Sequence, residues 1–64
     1  RQVATGKEGL VGEEGNAVTD LSPSGKVFVH GEWWDALSEV PVLQGERVVV
    51  IKKEGMLLRV EPKK

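Results

Sequence analysis

The sequence predicts a small all-β barrel of five short strands with no substantial helix. Three observations point there. Eight glycines and three prolines punctuate the 64 residues, and neither residue suits a helix interior. The Gly- and Pro-free stretch from Glu46 to Glu54 is dominated by β-branched residues, as is the shorter run from Lys26, a composition that favours strands. Finally, Val48-Val49-Val50-Ile51 is apolar at every position, which suits a strand inside a closed structure better than one in a flat sheet with a wet face.

The first strand is expected from about Asn16 to Leu21, with Ala17, Thr19 and Leu21 on one face. Ser22-Pro23-Ser24-Gly25 reads as a turn, since proline presets φ and glycine tolerates positive φ. The second strand, Lys26 to His30, points Val27 and Val29 one way and Lys26, Phe28 and His30 the other. The third covers Glu32 to Ser38, with Trp34, Ala36 and Ser38 inward. The inward parity changes across Gly31, which we read as a bulge or bend that curves the sheet toward closure, with strands two and three forming a bent hairpin or one coiled strand pair around it. Val40 to Gly45 is a connection in which Val42 and Leu43 plug one end. The fourth strand is Arg47 to Lys52. Glu54-Gly55 turns into the fifth, Met56 to Glu61, with Met56, Leu58 and Val60 inward. Five strands are too few for an ordinary two-layer sandwich. The expected architecture is an OB-like barrel without its usual helix, with an SH3-like barrel as the competing topology. Residues 1–12 form a lead-in arm, 13–62 the barrel domain and 63–64 a tail.

A 64-residue domain buries only about 60% of the surface its unfolded chain exposes, and small domains often add disulfides or a metal. There is no cysteine and one histidine, so disulfides, thiolate zinc sites and thiol nucleophiles are excluded, and no metal or cofactor is expected. The net charge is -1, which gives no compositional support to generalised phosphate binding. The longest uncharged apolar stretch is too short for a transmembrane span. The chain opens on Arg1 and not on Met, which reads as a piece of a longer protein.

A catalytic centre is not expected. His30 lacks a nucleophile and an orienting acid, because Ser22, Ser24 and Ser38 lie in turns or at strand ends. Glu13-Glu14 reads as a solvated loop pair, and Glu32 and Asp35 fall on opposite faces of a strand. Trp33-Trp34 is the most informative dipeptide. Adjacent strand residues point to opposite faces; parity with Ala36 makes Trp34 the core member and leaves Trp33 outside with Asp35 and Leu37. An outward tryptophan is either an interface anchor or lies under an arm, and Leu10-Val11 is the segment that could cover it. Trp33, with Val18, is the candidate protein interface, and the outward ring on so small a barrel leaves self-association open. The alternative is a single-stranded nucleic-acid groove built from Lys52, Lys53, Arg59, Lys63 and Lys64, against which Glu46, Glu54 and Glu61 interleave.

From Leu10 onward the chain resembles the C-terminal soluble domain of the NfeD-like membrane proteins. The resemblance is carried by Gly12, Gly15, Ala17, Thr19, Leu21, Pro23, Gly25, Val27, Val29 and the segment Gly31-Glu32-x-Trp34-Asp35-Ala36, its most specific part. It continues through Gly45-Glu46-x-Val48-x-Val50 and Gly55-x-x-Leu58-x-Val60. It implies a five-stranded OB-like barrel, membrane attachment through helices outside this fragment, on a side of the membrane not specified. It also implies protein contacts with stomatin-, prohibitin- or flotillin-type partners; no nucleic acid is expected, because the cations and aromatics usual for nucleic-acid-binding OB folds are thin here. Longer relatives carry a separate serine protease domain; nothing of it falls in this stretch, so no protease activity and no catalytic residue is implied for it.

Overall fold

The computed structural model describes residues 9–64. Five strands follow in order: β1 (Glu14–Ala17), β2 (Ser24–Val29), β3 (Glu32–Leu37), β4 (Arg47–Glu54) and β5 (Leu57–Pro62). They close into a barrel in the order β1-β2-β3-β5-β4. All neighbours are antiparallel except β3 and β5, and β4 returns to pair with β1. That order is OB-like rather than SH3-like, and among the described residues there is no helix.

Strands two and three form the hairpin expected around Gly31, but the parity change there comes from the turn itself and not from a bulge. His30 and Gly31 have φ of 56° and 80°, the two positive values of a two-residue I′ hairpin turn, which glycine adopts without steric cost. The β2–β3 register then runs without a break from Val29 opposite Glu32 to Ser24 opposite Leu37. An even-length turn places odd-numbered residues opposite even-numbered ones, so the swap is the hairpin itself. The bulge lies in β4, where Val50 opposes Val60 and Lys52 opposes Arg59, leaving Ile51 as the extra residue. Curvature also needs close approach of β1 to β2. A Cβ on Gly15 would stand 2.3 Å from the Phe28 carbonyl oxygen.

The core is almost entirely valine, leucine and alanine: Ala17, Leu21, Val27, Val29, Ala36, Val42, Val48, Val50, Leu58 and Val60. Leu21 and Val42 close one end, each donating its N–H to the other's carbonyl, at 2.8 and 3.1 Å. Beside them Ser38 is buried, and its hydroxyl donates to the Val40 carbonyl at 2.6 Å. Leu43, expected to share the plug, is exposed.

Other inward assignments shift for physical reasons. β1 begins and ends earlier than expected; beyond Ala17 the chain bends, which leaves Thr19 exposed while Leu21 re-enters the core. Met56 belongs to the β4–β5 turn and is 78% exposed. Trp34 packs against the core at the barrel mouth but is only half-buried. Closure covers only the inner face of β4, so Val49 remains half-buried and Ile51 exposed. The proposed arm lies mostly outside the described residues; of its described part, Leu10 packs on the core and the Gly12 N–H donates to the Val50 carbonyl at 2.8 Å.

Candidate interaction surface

The outer wall of β1, β2 and β3 is built by register. Asn16 stands opposite Phe28, and Phe28 opposite Trp33. Directly opposed residues in an antiparallel pair hold their Cβ atoms about 4.5–5.5 Å apart, so Phe28 and Trp33 are cross-strand neighbours on this wall. Trp33 is 65% exposed and Phe28 39%. Leu10 packs on the core, and among the described residues nothing covers the Trp33 ring to the extent an arm would.

Val18 lies one row along the same wall. Its N–H donates to the Lys26 carbonyl at 2.8 Å, which sets it beside Lys26 on the face that carries Phe28, and it is half-buried. The structure thus brings Trp33 and Val18 onto one wall, with β2 between them. Phe28 lies beside them on that wall, and sequence reasoning did not group it with them. Its signal was available, because a two-residue turn at His30-Gly31 forces 28 opposite 33.

Charges on this wall are matched. Lys26 pairs with Asp35 across β2 and β3. Arg47 donates through Nη1 to Asn16 Oδ1 at 2.9 Å and through Nη2 to Glu14 Oε1 at 3.1 Å. Such exposed pairs contribute little stability; their effect is to leave an apolar strip of Val18, Phe28 and Trp33 edged by neutralised side chains.

Among the described residues, the groups weighed for catalysis are not brought together. Ser24 and His30 sit at opposite ends of β2, about 20 Å apart at roughly 3.3 Å per residue. Ser38 spends its hydroxyl on Val40. Among the described residues no three His, Cys, Asp or Glu side chains group as metal ligands. Four of the five late cations are engaged, Lys64 being the exception: Lys52 and Arg59 both hold Glu54, Lys53 donates to the Gly55 carbonyl, and Lys63 reaches Glu14. The hydrogen bond from Lys52, then that from Arg59, keeps the Glu54 carboxyl below its ordinary pKa. No helix among the described residues is long and apolar enough to cross a membrane.

Comparison with known proteins sets this wall in context. The chain is 37% identical over 60 residues to Membrane-bound protease PH1510 of Pyrococcus horikoshii, covering 91% of this chain but 14% of that protein. Among solved structures it is similar to the C-terminal domain of stomatin operon partner protein 1510-C from Pyrococcus horikoshii. There the TM-score is 0.85 at 36% identity, over 95% of this chain and 98% of that one. It is also similar to the soluble domain of a Corynebacterium glutamicum membrane protein implicated in regulation of membrane protease activity, with a TM-score of 0.75 at 33% identity, over 80% and 87% of the two chains. The profile described as NfeD-like C-terminal, partner-binding domain matches residues 7–62, and the chain belongs to that family.

Proposed function

We propose that this chain is a non-enzymatic protein-interaction domain of a membrane-anchored protein. It presents the Trp33, Phe28 and Val18 wall to a stomatin-, prohibitin- or flotillin-type partner in membrane organisation or quality control. The observation that carries the reading is the exposed Trp33 side chain, with Phe28 opposite it in register, on a wall where Lys26 and Asp35 are paired. Exposed aromatic anchors edged by polar residues are where binding energy concentrates. The family's partner-binding description supports the role. The relatives' names, a stomatin operon partner and a membrane-bound protease, support the class of partner and the membrane attachment.

The test is capture of the chain by the soluble part of a stomatin-type protein, followed by calorimetric titration. Trp33→Ala is expected to weaken binding at least tenfold while leaving the melting temperature nearly unchanged, with Phe28→Ala intermediate. Absence of any binding by the unsubstituted chain overturns the class of partner. Binding that is unaffected by Trp33→Ala overturns the assignment of the wall.

A further inference from the structure

The wall of β3, β5 and β4 carries a feature that the Trp33 face does not use. A cavity of about 190 Å³ opens there between Leu37, Val40, Ile51 and Val60. Small-molecule and cofactor sites run to about 300–1,000 Å³, so this one suits a single side chain. Its walls include two aliphatic residues held out in solvent, Val40 at 53% and Ile51 at 48% exposure. Ile51 is there because of the β4 bulge: it is the residue with no opposite number between the Val50–Val60 and Lys52–Arg59 pairs. Bulges re-aim side chains, and this one turns an isoleucine toward the cavity.

The rim gives the occupant a charge. Glu39, Arg59 and Glu61 border the cavity. Arg59 Nε lies 3.3 Å from Glu54 Oε1 and Lys52 Nζ 3.3 Å from Glu54 Oε2, so the cations of this wall share one carboxylate away from the cavity. Glu39 and Glu61 form no ion pair among the described residues. The net charge at the rim is therefore anionic, two unpaired carboxylates against Arg59, which shares Glu54 with Lys52.

We infer that this groove docks one branched aliphatic side chain of an extended protein segment, with a lysine or arginine beside it held by Glu39 and Glu61. Trp33 and Leu37 share the outer row of β3, four residues and about 13 Å apart, so the groove is a second contact point separate from the aromatic wall. It does not depend on the identity of the partner that binds at Trp33.

The probes are three capped tetrapeptides, Gly-Leu-Lys-Gly, Gly-Leu-Gln-Gly and Gly-Leu-Glu-Gly, titrated into the isotope-labelled chain and followed by amide chemical shifts. The expected result is saturable shifts centred on Leu37, Val40, Ile51 and Glu61, with affinity falling at least threefold from the lysine to the glutamine peptide and again to the glutamate peptide. Glu39→Gln with Glu61→Gln is expected to level the first two peptides, and Ile51→Ser to weaken all three equally. Trp33→Ala is expected to change none of the titrations, so loss of partner binding and loss of groove binding are read separately. The inference is overturned by absence of saturable shifts at these residues or by preference for the glutamate peptide. It is equally overturned by concentration-dependent shifts of the same amides without peptide, which would assign the groove to a second copy of the chain.

Discussion

The ammonium of Lys53 lies 5.5 Å from the centroid of the Trp34 ring. Lys53 stands opposite the buried Leu58, which gives it an inward register position at the barrel mouth. Its stem lies along apolar surface while Nζ reaches out to the Gly55 carbonyl at 2.8 Å. Charge and stem therefore act separately. Lys53→Met, which keeps the apolar length, is expected to lose about 0.5–1 kcal/mol of stability with the cation–π contact. Lys53→Ala is expected to lose more. Urea midpoints compare the two, and equal losses would show that the stem does not pack.

Leu58 is fully buried and stands opposite the buried Ala36 at the β3–β5 junction. Leu58→Ala is expected to cost about 2–5 kcal/mol, while a core of this size supplies roughly 3–5 kcal/mol. The variant should be largely unfolded at room temperature, visible as collapse of amide dispersion. Gly15→Ala is expected to destabilise by about 1–3 kcal/mol through overpacking, because the added carbon meets the Phe28 backbone, which cannot swing aside.

Acid should release the charge cluster at the β4–β5 tip. Glu54 has a lowered pKa in the folded chain. Its contribution is therefore present above the unfolded carboxylate range and lost as pH falls through the lower folded value. Melting temperatures of the parent and of Glu54→Gln are expected to differ slightly at neutral pH and to converge on acidification. High salt should shrink the neutral difference, since the carboxylate is solvent-exposed.

Titration with an oligothymidylate at physiological salt is expected to leave tryptophan fluorescence unchanged. Lys52, Lys53, Arg59 and Lys63 are already held by Glu54, Gly55 and Glu14, and Lys26 beside the aromatic wall is held by Asp35. Few cations remain to release counterions from a phosphate chain. Micromolar binding with a steep salt dependence would put the nucleic-acid reading ahead of the protein-interaction one.

Most of the barrel was legible because glycine and proline mark its turns and valine marks its strands. Parity alone put Trp33 outside and Ala36 inside, as the structure has them. Beyond the shifted assignments of Thr19, Leu43 and Met56, the bulge was misplaced and Phe28 was not set beside Trp33, and the reasons are local. A parity swap at Gly31 is produced equally by a bulge and by an even-length turn, and only the register separates them. The real bulge falls at Ile51 within four consecutive apolar residues, where no alternation exists to be broken. The Val40–Ile51 groove was therefore invisible in sequence, since it depends on that bulge and on where the β3–β4 connection crosses the wall. Phe28 escaped for a related reason, because its place beside Trp33 follows from register and not from its neighbours in the chain.

The pairing of β1 with β4 has a consequence for how the molecule assembles. It joins only Glu14, Gly15 and Asn16 to Val49, Val48 and Arg47, and the Arg47 side-chain bonds across it span 31 and 33 positions of chain. The β2–β3 and β4–β5 hairpins, by contrast, close over short turns. Non-local contacts of this kind form late and slow the whole reaction. The seam is accordingly the last part of the barrel to zip and the first to part. Native-state hydrogen exchange should find the amides of Gly12, Ala17 and Val50, whose bonds cross it, exchanging through smaller openings than those of Val27 and Ala36 in the central hairpin.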